Sequence, residues 1–463
     1  MSESGQKAAK AMTGMTGMPL PSNQNYLPDR YLTTKTDDPL GLAFPEKFTV
    51  HAGQAGTPYS GSEAASIYHE LLDKPGGPCA IYVHLPFCQG KCLYCGFAGS
   101  FPGQELTSNY AKAVKRELEF LAQKPAACGP VRTIYFGGGT PSCLDPGDLA
   151  LLMETIFHNF SLANDCEITL EGRIHDFTPE RRQAFLASGF NRFSIGIQSF
   201  DTLVRRKLGR VSDKQTASEL LAGLCDLNRA NVIIDLIYGL PGQDVETFLA
   251  DLALADQCGV DGLDTYQLNV FGDLKRAVEA GRVPAPAELK EQGRYYIAAA
   301  NYFTQKHWRR LSLSHYARST RERNIYNPWA KRRDRCLAAG AGAGGFLDGH
   351  ATYRLPVVEG YILRSMEGNF DIDFVTSPSP AAPAISFIVG QMEEGYLDFE
   401  ELNSRFGVNP GPLERLLVNW RESGLVELGG KTMTMTMEGL FWGVNLTQAV
   451  VDTAANNLQG ENR

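Results

Sequence analysis

The stretch that decides the fold reads Ile81-Tyr-Val-His-Leu-Pro-Phe-Cys88-Gln-Gly-Lys-Cys92-Leu-Tyr-Cys95-Gly-Phe97. Its apolar first half predicts a buried β-strand that ends near Leu85, because Pro86 has no N–H to donate. The following loop carries three cysteines in a CxxxCxxC spacing. Three thiolates this close together can each bind one iron of a [4Fe–4S] cluster and leave the fourth iron for another ligand. A structural zinc site is the alternative, but it generally needs a second pair of ligands, which the sequence lacks.

Outward from this stretch, apolar strand-like runs alternate with helix-length segments. The predicted strands are Ala80–Leu85, Thr133–Phe136, Glu167–Leu170, Arg192–Ile197, Val232–Ile237, Gly262–Val270 and a weaker run, Arg310–Ser314. The predicted helices are Ser62–Leu72, Thr107–Leu121, Pro146–Phe160, Pro179–Ala187, Asp213–Ala230 and Asp244–Cys258. This alternation is typical of βαβ units and predicts an α/β fold, a partial (β/α) TIM-like barrel. In such barrels the chemistry gathers at the carboxyl ends of the strands.

The pattern divides the chain into three expected regions. A flexible tail and an irregular extension cover residues 1–60, the barrel covers 61–350, and a linker with a C-terminal domain covers 351–463. The last region resembles a winged-helix α+β domain that covers the barrel mouth. Its predicted elements are three helices and a hairpin: Ala382–Glu394, Phe399–Phe406, Gly411–Ser423, Gly424–Leu428 and Lys431–Met437.

Composition limits the partners and the compartment. The chain has 463 residues and a net charge of −8, which argues against nucleic acid as an electrostatic partner. It has no apolar run of about 18 residues, so we expect no membrane-spanning helix. The first residues lack the apolar core of a signal peptide, which predicts a cytoplasmic protein. Ten cysteines are too few for a disulfide scaffold in a chain of this length, and the seven outside the loop are interpreted as small buried residues.

Polar residues follow the later strands at the same edge of the predicted sheet. The second strand runs into Gly137-Gly-Gly-Thr-Pro141, where successive glycines let the backbone approach a ligand. Glu171 ends the third strand, although a solvated strand end would look the same. Asp235 lies inside an apolar run, and a buried carboxylate needs a partner there. These positions predict a polar ligand site beside the cysteines.

Together these motifs resemble the radical S-adenosylmethionine (SAM) superfamily, and the YVHLPFC leader is similar to its HemN-like subgroup. The resemblance implies that Cys88, Cys92 and Cys95 ligate a [4Fe–4S] cluster that binds SAM and cleaves it to a 5′-deoxyadenosyl radical. It also implies a set of SAM contacts at matching positions. These are Tyr82, Tyr94, Gly138, Gly139, Thr140, Glu171, Gln198, Arg210, Asp235 and Asn269.

Three branches of the subgroup differ in the residues that follow the third cysteine, and these positions can be compared with this sequence. The coproporphyrinogen dehydrogenases carry a further cysteine two residues after the third, and the heme chaperones carry an aspartate directly after it. Here Cys95 is followed by Gly96-Phe97, which departs from both patterns. Three other segments resemble the anaerobic heme-degrading methyltransferases of the anaerobilin synthase type. They are Tyr26–Thr34, Ala339–Gly345 and Phe441–Leu446.

The resemblance to the anaerobilin synthase type implies a radical SAM C-methyltransferase that opens heme. One SAM gives the radical, which abstracts hydrogen from the methyl group of a second SAM, and the resulting carbon radical adds to a meso carbon of heme. The implied products are a methylated linear tetrapyrrole and iron, with electrons from a flavodoxin-like donor. Oxidative decarboxylation of coproporphyrinogen III and heme carriage without turnover stay open as alternatives.

Several residues are candidates for the remaining ligands. The loop Gly340–Gly345 is a candidate for part of the second SAM site, with a simple tight turn as the alternative. His315 and His84 are candidate heme contacts, because both lie near predicted strand ends. The basic stretch Lys331–Arg335 is a candidate for pairing with heme propionates or an acidic flavodoxin, and a solvated face is the other interpretation.

Overall fold

The computed structural model describes residues 29–34, 36–48, 56–95, 103–270 and 272–460. One thirteen-stranded sheet organises most of the described chain. Its strands are β1 Gly56–Ser60, β2 Cys79–Leu85, β3 Val131–Gly138, β4 Leu162–Gly172, β5 Arg192–Gln198, β6 Asn231–Tyr238, β7 Gly262–Gln267, β8 Arg309–Arg310, β9 His315–Ala317, β10 Cys336–Ala339, β11 Gly344–Leu347, β12 His350–Tyr353 and β13 Phe374–Pro378.

The centre of the sheet is parallel. Strands β2 to β7 pair in chain order, and β10 pairs in parallel with the free side of β2. Antiparallel strands extend both edges, β9 and β8 beyond β7, and β11, β12, β13 and β1 beyond β10. The six predicted barrel strands are therefore confirmed, and the carboxyl ends of seven parallel strands share one edge of a partial TIM-like barrel.

Helices alternate with the strands of this sheet along the chain. They are Gly61–Leu72, Gln104–Ala122, Pro146–Asn159, Pro179–Ala187, Thr202–Lys207, Lys214–Cys225, Val245–Cys258, Gly272–Glu279, Leu289–Gln305, Tyr326–Lys331 and Val358–Met366. Aspartate or threonine side chains cap several of their first turns, for example Asp145, Thr178 and Asp244. Within the described residues, no helix combines the length and the apolar character needed to cross a bilayer.

Two predictions about secondary structure were wrong. The run Arg310–Ser314 is not a strand, because β8 ends at Arg310 and the chain then turns into β9. In that turn the N–H of His315 donates to Ser312 Oγ at 3.3 Å. The helix predicted to reach Ala230 ends at Cys225, and residues 226–230 form the turn into β6. The sheet also continues past residue 350, through β12 and β13, with strands too short to stand out in the sequence.

The C-terminal region is winged-helix-like, as predicted. Its three-stranded sheet has the order β14 Tyr396–Asp398, β16 Thr432–Met435, β15 Val426–Gly429. Its helices are Ala382–Glu393, Phe399–Phe406, Glu414–Glu422, Met437–Phe441 and Gly443–Gly460. The last of these was not predicted, and it packs against Ala382–Glu393.

The N-terminal extension packs on this C-terminal region. Described from residue 29, it includes the short turns Asp29–Tyr31 and Pro39–Leu42. Trp442 Nε1 donates to Pro39 O at 2.9 Å, and Trp420 Nε1 donates to Tyr31 O at 2.9 Å. The first described residues therefore pack against the C-terminal region. The predicted flexible tail and the first residues of the Tyr26–Thr34 motif lie outside the described residues.

A buried charge network crosses the barrel interior. Arg192 Nη2, at the start of β5, lies 2.9 Å from Glu322 Oε1. His315 Nε2 lies 3.2 Å from the same oxygen, and His315 Nδ1 lies 2.9 Å from Asp264 Oδ2. Burial opposes the charge on Glu322, but Arg192 and His315 lower its pKa to about 2. The network links β5 and β7 to the segment after β9.

We expect Glu322→Gln to destabilise the fold. The substitution removes the negative charge between two buried cations, and breaking a buried pair in this way costs about 3–5 kcal/mol. Urea denaturation followed by circular dichroism measures the loss. Asp165→Asn is the control, because Asp165 pairs with Arg132 and Arg323 on the surface and its loss should leave the midpoint unchanged. Equal midpoints for the two variants would contradict a stabilising role for the network.

The network also predicts a pH dependence. Burial opposes protonation of His315, but Asp264 and Glu322 raise its pKa to about 9, above the unfolded value of about 6.5. The stabilisation from His315 is thus complete below about pH 6.5 and is lost as the pH rises through about 9. Between pH 7 and pH 9 the unfolding free energy of the wild type should fall relative to that of His315→Gln. Parallel curves for the two proteins over this window would show that the histidine carries no such charge.

Candidate active site

One cavity opens at the carboxyl ends of the parallel strands. Its volume is about 320 Å³. Twelve of the thirteen site residues predicted from the sequence line it, and the remaining one, Tyr82, does not. The lining residues are Cys88, Cys92, Tyr94, Cys95, Gly138, Gly139, Thr140, Glu171, Gly172, Arg173, Ser194, Gly196, Gln198, Arg210, Asp235, Ile237, Gln267, Leu268 and Asn269.

The loop after β2 brings the three cysteine thiols to one wall of the cavity. The N–H of Cys95 donates to Cys92 O at 3.2 Å, and both cysteines line the cavity together with Cys88. The hydroxyl of Thr140 lies 3.4 Å from Cys88 Sγ. Three thiols on one cavity wall fit a [4Fe–4S] cluster, which takes one thiolate for each ligated iron. Among the residues described, no three His, Cys, Asp or Glu side chains converge on the position of a single ion.

Arg173 is a functional candidate that the sequence reasoning missed. Its Nη2 lies 3.2 Å from Cys92 Sγ and also donates to Gly90 O. A cation beside a ligating sulfur favours the thiolate, and hydrogen bonds to such sulfurs tune a cluster's reduction potential. The sequence did contain a signal for this role: Arg173 comes two residues after Glu171, directly after the same strand ends.

The glycine turn after β3 fits closely against the cysteine loop. Gly139 N donates to Leu85 O at 2.9 Å, and Thr140 N donates to Phe87 O at 2.7 Å. A Cβ on Gly139 would lie 2.5 Å from Phe87 O, which is impossible without moving the backbone. Gly138 has a φ of +118°, a conformation that favours glycine. The glycines are therefore required by this contact, and they leave backbone exposed to the cavity.

Two half-buried carboxyl groups, Glu171 of β4 and Asp235 of β6, line the cavity. Tyr135 donates from its hydroxyl to Glu171 Oε1 at 2.6 Å. Burial raises the pKa of Glu171, against the hydrogen bonds from Tyr135 and Gly138. Burial, together with the charges of Asp264 and Glu171, raises the pKa of Asp235 to about 7. A cationic ligand in the cavity would relieve this repulsion and favour both carboxylates.

A polar group with unused hydrogen-bonding capacity lies at the end of β5. Gln198 has a φ of +71°, which is unusual for a residue with a side chain and marks backbone strain. Its buried Oε1 has no hydrogen-bond partner among the described residues. Arg210 donates through Nη2 to the Tyr94 hydroxyl at 2.5 Å, whereas its Nε is unpartnered within the same set. Unsatisfied buried polar atoms beside a cavity point to a polar ligand.

Tyr82 lies behind the cavity wall. Its ring stacks on Tyr326 at 6.0 Å and on Tyr135 at 6.4 Å, measured between centroids. Its hydroxyl lies 2.9 Å from His84 Nδ1. The ring therefore supports Tyr135, which holds Glu171, and contributes to the site through that contact.

The two candidate heme histidines have different surroundings. The structure contradicts a heme contact for His315, because its side chain is 1% exposed and both ring nitrogens face the carboxylates of Asp264 and Glu322. A strand-end histidine looks the same in sequence whether it faces the cavity or the interior. The ring of His84 packs between the two glycine loops, so closely that a Cβ added to Gly138 or to Gly342 would lie within 3.1 Å of it. Burial lowers the pKa of His84 to about 4.

The glycine-rich loop Gly340–Gly345 lies outside the cavity lining. Gly340 N donates to Glu117 Oε2 at 2.9 Å, and Ala341 N donates to the Tyr110 hydroxyl at 2.8 Å. These bonds tie the loop to buried side chains of helix Gln104–Ala122. Its backbone is nevertheless close to His84, across from the glycine turn after β3.

Most of the basic stretch Lys331–Arg335 is already paired. Lys331 Nζ lies 2.7 Å from Glu393 Oε2, and Arg332 Nε lies 3.0 Å from Asp334 Oδ2. Arg335 pairs with Asp348. These intramolecular pairs favour a structural role for the stretch over a binding site for propionates or for an acidic protein.

Known proteins match the chain in both sequence and fold. The model of the radical SAM superfamily matches residues 82–255. The anaerobilin synthase of Escherichia coli O157:H7 is 36% identical over 85% of this chain and 88% of its own length. The oxygen-independent coproporphyrinogen III oxidase of Helicobacter pylori is 25% identical over 87% and 90% of the two chains. The heme chaperone HemW of Mycobacterium tuberculosis is 34% identical over 50% and 60%.

The fold comparison agrees with the sequence comparison. The structure of coproporphyrinogen III oxidase (HemN) from Escherichia coli aligns with 87% of this chain and 96% of its own, with a TM-score of 0.73 and 21% identity. That match confirms the predicted fold class. Membership of the superfamily implies a [4Fe–4S] cluster and SAM. The length and identity of the matches show that the chain belongs to the radical SAM superfamily, in the HemN-like subgroup and in the family of the Escherichia coli anaerobilin synthase.

Proposed function

We propose that the protein is a radical SAM C-methyltransferase that methylates and opens heme anaerobically, giving a linear tetrapyrrole and releasing iron. One observation carries the proposal. A single cavity combines three thiols with the polar ends of four further strands, in a chain that is similar to an anaerobilin synthase over 85% of its length.

The cysteine wall is the proposed cluster site. Cys88, Cys92 and Cys95 would each ligate one iron, and Arg173 would donate to the sulfur of Cys92. When bound, the cluster supplies the electron for reductive cleavage of SAM. We expect a flavodoxin-like protein to deliver that electron, as the family resemblance implies.

The other walls of the cavity are proposed to orient SAM. Glu171 and Asp235 would balance its positive charge, because burial raises the pKa of both carboxyl groups and a cation bound beside them would favour their charged forms. Gln198 and Arg210 would bind its polar groups through the buried atoms that have no described partner. Asn269 follows β7 and would contact the nucleoside. Tyr94 holds Arg210, and the backbone of Gly138–Thr140 lines the same wall.

The size of the cavity bears on the second SAM and on heme. A volume of about 320 Å³ lies at the lower end of the range for ligand pockets, about 300–1,000 Å³. We therefore assign it to one SAM. A second SAM and the heme would bind on the side of the cavity lined by Gln267 and Asn269, where Lys47 contacts Gln267.

Oxidation of coproporphyrinogen III is the second candidate. The similarity to the Helicobacter pylori enzyme over 87% of the chain favours it, and the missing cysteine after Cys95 argues against it. Heme carriage is the third candidate, from the similarity to HemW over half of the chain.

Anaerobic turnover with deuterated SAM separates the three. We expect the reconstituted protein, with a reductant, heme and SAM carrying a CD₃ methyl group, to bleach the Soret absorbance and form a methylated linear tetrapyrrole. Hydrogen abstraction from the methyl group should also place deuterium in the 5′-deoxyadenosine, as read by mass spectrometry. Unchanged heme would contradict the proposal, and stoichiometric binding without product would favour the carrier. Loss of two carboxyl groups from added coproporphyrinogen would instead establish the second candidate.

The cluster assignment predicts the effect of one substitution. Cys92→Ser should abolish the iron–sulfur absorbance after reconstitution and remove 5′-deoxyadenosine formation, since a buried serine is a poor iron ligand. Cys128→Ser is the matched control, because Cys128 is an exposed thiol outside the cavity and should retain both signals. A Cys92→Ser protein with a full cluster and undiminished SAM cleavage would contradict the assignment.

A further inference from the structure

A lysine from the N-terminal extension reaches the edge of the cavity. Lys47 Nζ lies 2.5 Å from Gln267 Oε1 and 3.7 Å from the centroid of the Phe441 ring. Gln267 ends β7 and lines the cavity, whereas Phe441 belongs to the C-terminal region. Three distant parts of the sequence therefore meet around one ammonium group.

The position of Lys47 is fixed by its neighbours in the chain. Asn445 Nδ2 donates to Glu46 O at 2.9 Å, and Asn445 Oδ1 accepts from the N–H of Phe48 at 2.9 Å. One amide side chain thus holds the backbone on both sides of the lysine. Asn445 is 2% exposed, so water does not compete for these hydrogen bonds. The lysine is held at this place by the fold and is not a surface residue that happens to lie near the cavity.

Among the described residues, no anion lies beside the ammonium group of Lys47. Its partners among the described residues are an amide oxygen and an aromatic face, and no carboxylate in this set pairs with it. Burial lowers the pKa of Lys47 to about 7, with no ion pair to oppose the shift. An ammonium has three N–H donors, and a poorly solvated cation is costly without an anion. Lys47 is half-buried as a residue, which leaves room for a ligand to supply that anion.

We propose that Lys47 binds a carboxylate of the tetrapyrrole substrate at the mouth of the cavity. This inference rests on the proposed function, since a heme carries propionates. The carboxylate of SAM has its own candidate in Arg210, which lines the cavity and whose buried Nε has no hydrogen-bond partner among the described residues. Lys47 lies instead at β7, the last parallel strand, five strands from β2 and its cysteine loop. A carboxylate on the side chain of a large ring can reach this rim while the ring lies over the cavity.

The assignment is tested by measuring the affinities of two proteins for two porphyrins, as in a double-mutant cycle. Hemin and hemin dimethyl ester, whose propionates are neutral, are titrated into reconstituted wild-type protein and Lys47→Met. A charge-assisted hydrogen bond is worth about 1.5–3 kcal/mol, so the substitution should weaken hemin binding about tenfold or more. Binding of the diester should not change, which also shows that the variant is folded. Lys290→Met is the matched control, because Lys290 pairs with Asp38 on the same side of the protein.

Each contrary outcome has a definite meaning. Equal hemin affinity in the wild type and Lys47→Met would overturn the inference, and so would equal weakening of hemin and its diester. A loss of SAM affinity in Lys47→Met, with hemin affinity retained, would assign the lysine to the carboxylate of SAM and also overturn it. These results would leave the proposed function intact. A wild-type protein that binds neither porphyrin would overturn the proposed function together with the inference.

Discussion

The parallel pairing of β2 with β3 sets the geometry of the candidate site. It aligns Leu85 with Gly138, and the hydrogen bonds from Gly139 and Thr140 continue the pairing beyond both strand ends. The cysteine loop is therefore held by backbone contacts with the glycine turn, at a separation that only glycine permits. Strands β4 to β7 continue the parallel pairing, so the polar residues at their carboxyl ends line the other walls of the same cavity. A shift in this one pairing would separate the thiols from every other lining residue.

The features that could be predicted are those encoded locally. Buried parallel strands read as continuous apolar runs, so β2 to β7 were recognisable, as were the cysteine spacing and the polar residues that end each strand. His315 shows where prediction from the local sequence fails. It follows a short apolar run and looked like a cavity residue, yet its partners Asp264 and Glu322 approach from the interior. Strand β10 was not predicted for another reason: its four residues are too few to show a periodic pattern in the sequence.

No feature of the local sequence marked Lys47 as a functional residue. It lies in a turn-rich segment of an acidic protein, where a basic residue is ordinarily solvated. Its significance comes from Gln267 and Asn445, which are 220 and about 400 residues away in the chain. The segments that meet there lie outside residues 82–255, the range that the superfamily model covers. The barrel therefore carries the proposed cluster and SAM contacts, and the extensions are where we expect members of the family to differ in substrate.

The distribution of charge around the cavity favours one orientation of its ligands. Burial raises the pKa values of the Glu171 and Asp235 carboxyl groups, so a cation bound beside them would favour their charged forms. Arg210 and Arg173 lie among the cavity-lining residues, the latter beside Cys92, and favour anionic groups there. Lys47 adds a cation at the outer rim, with no carboxylate paired to it among the described residues. We therefore expect the sulfonium to lie beside the two carboxyl groups, and anionic groups to lie either beside Arg210 inside the cavity or beside Lys47 at its rim. Since electrostatic attraction inside a poorly solvated site is stronger than in water, this separation can order the ligands before any chemistry begins.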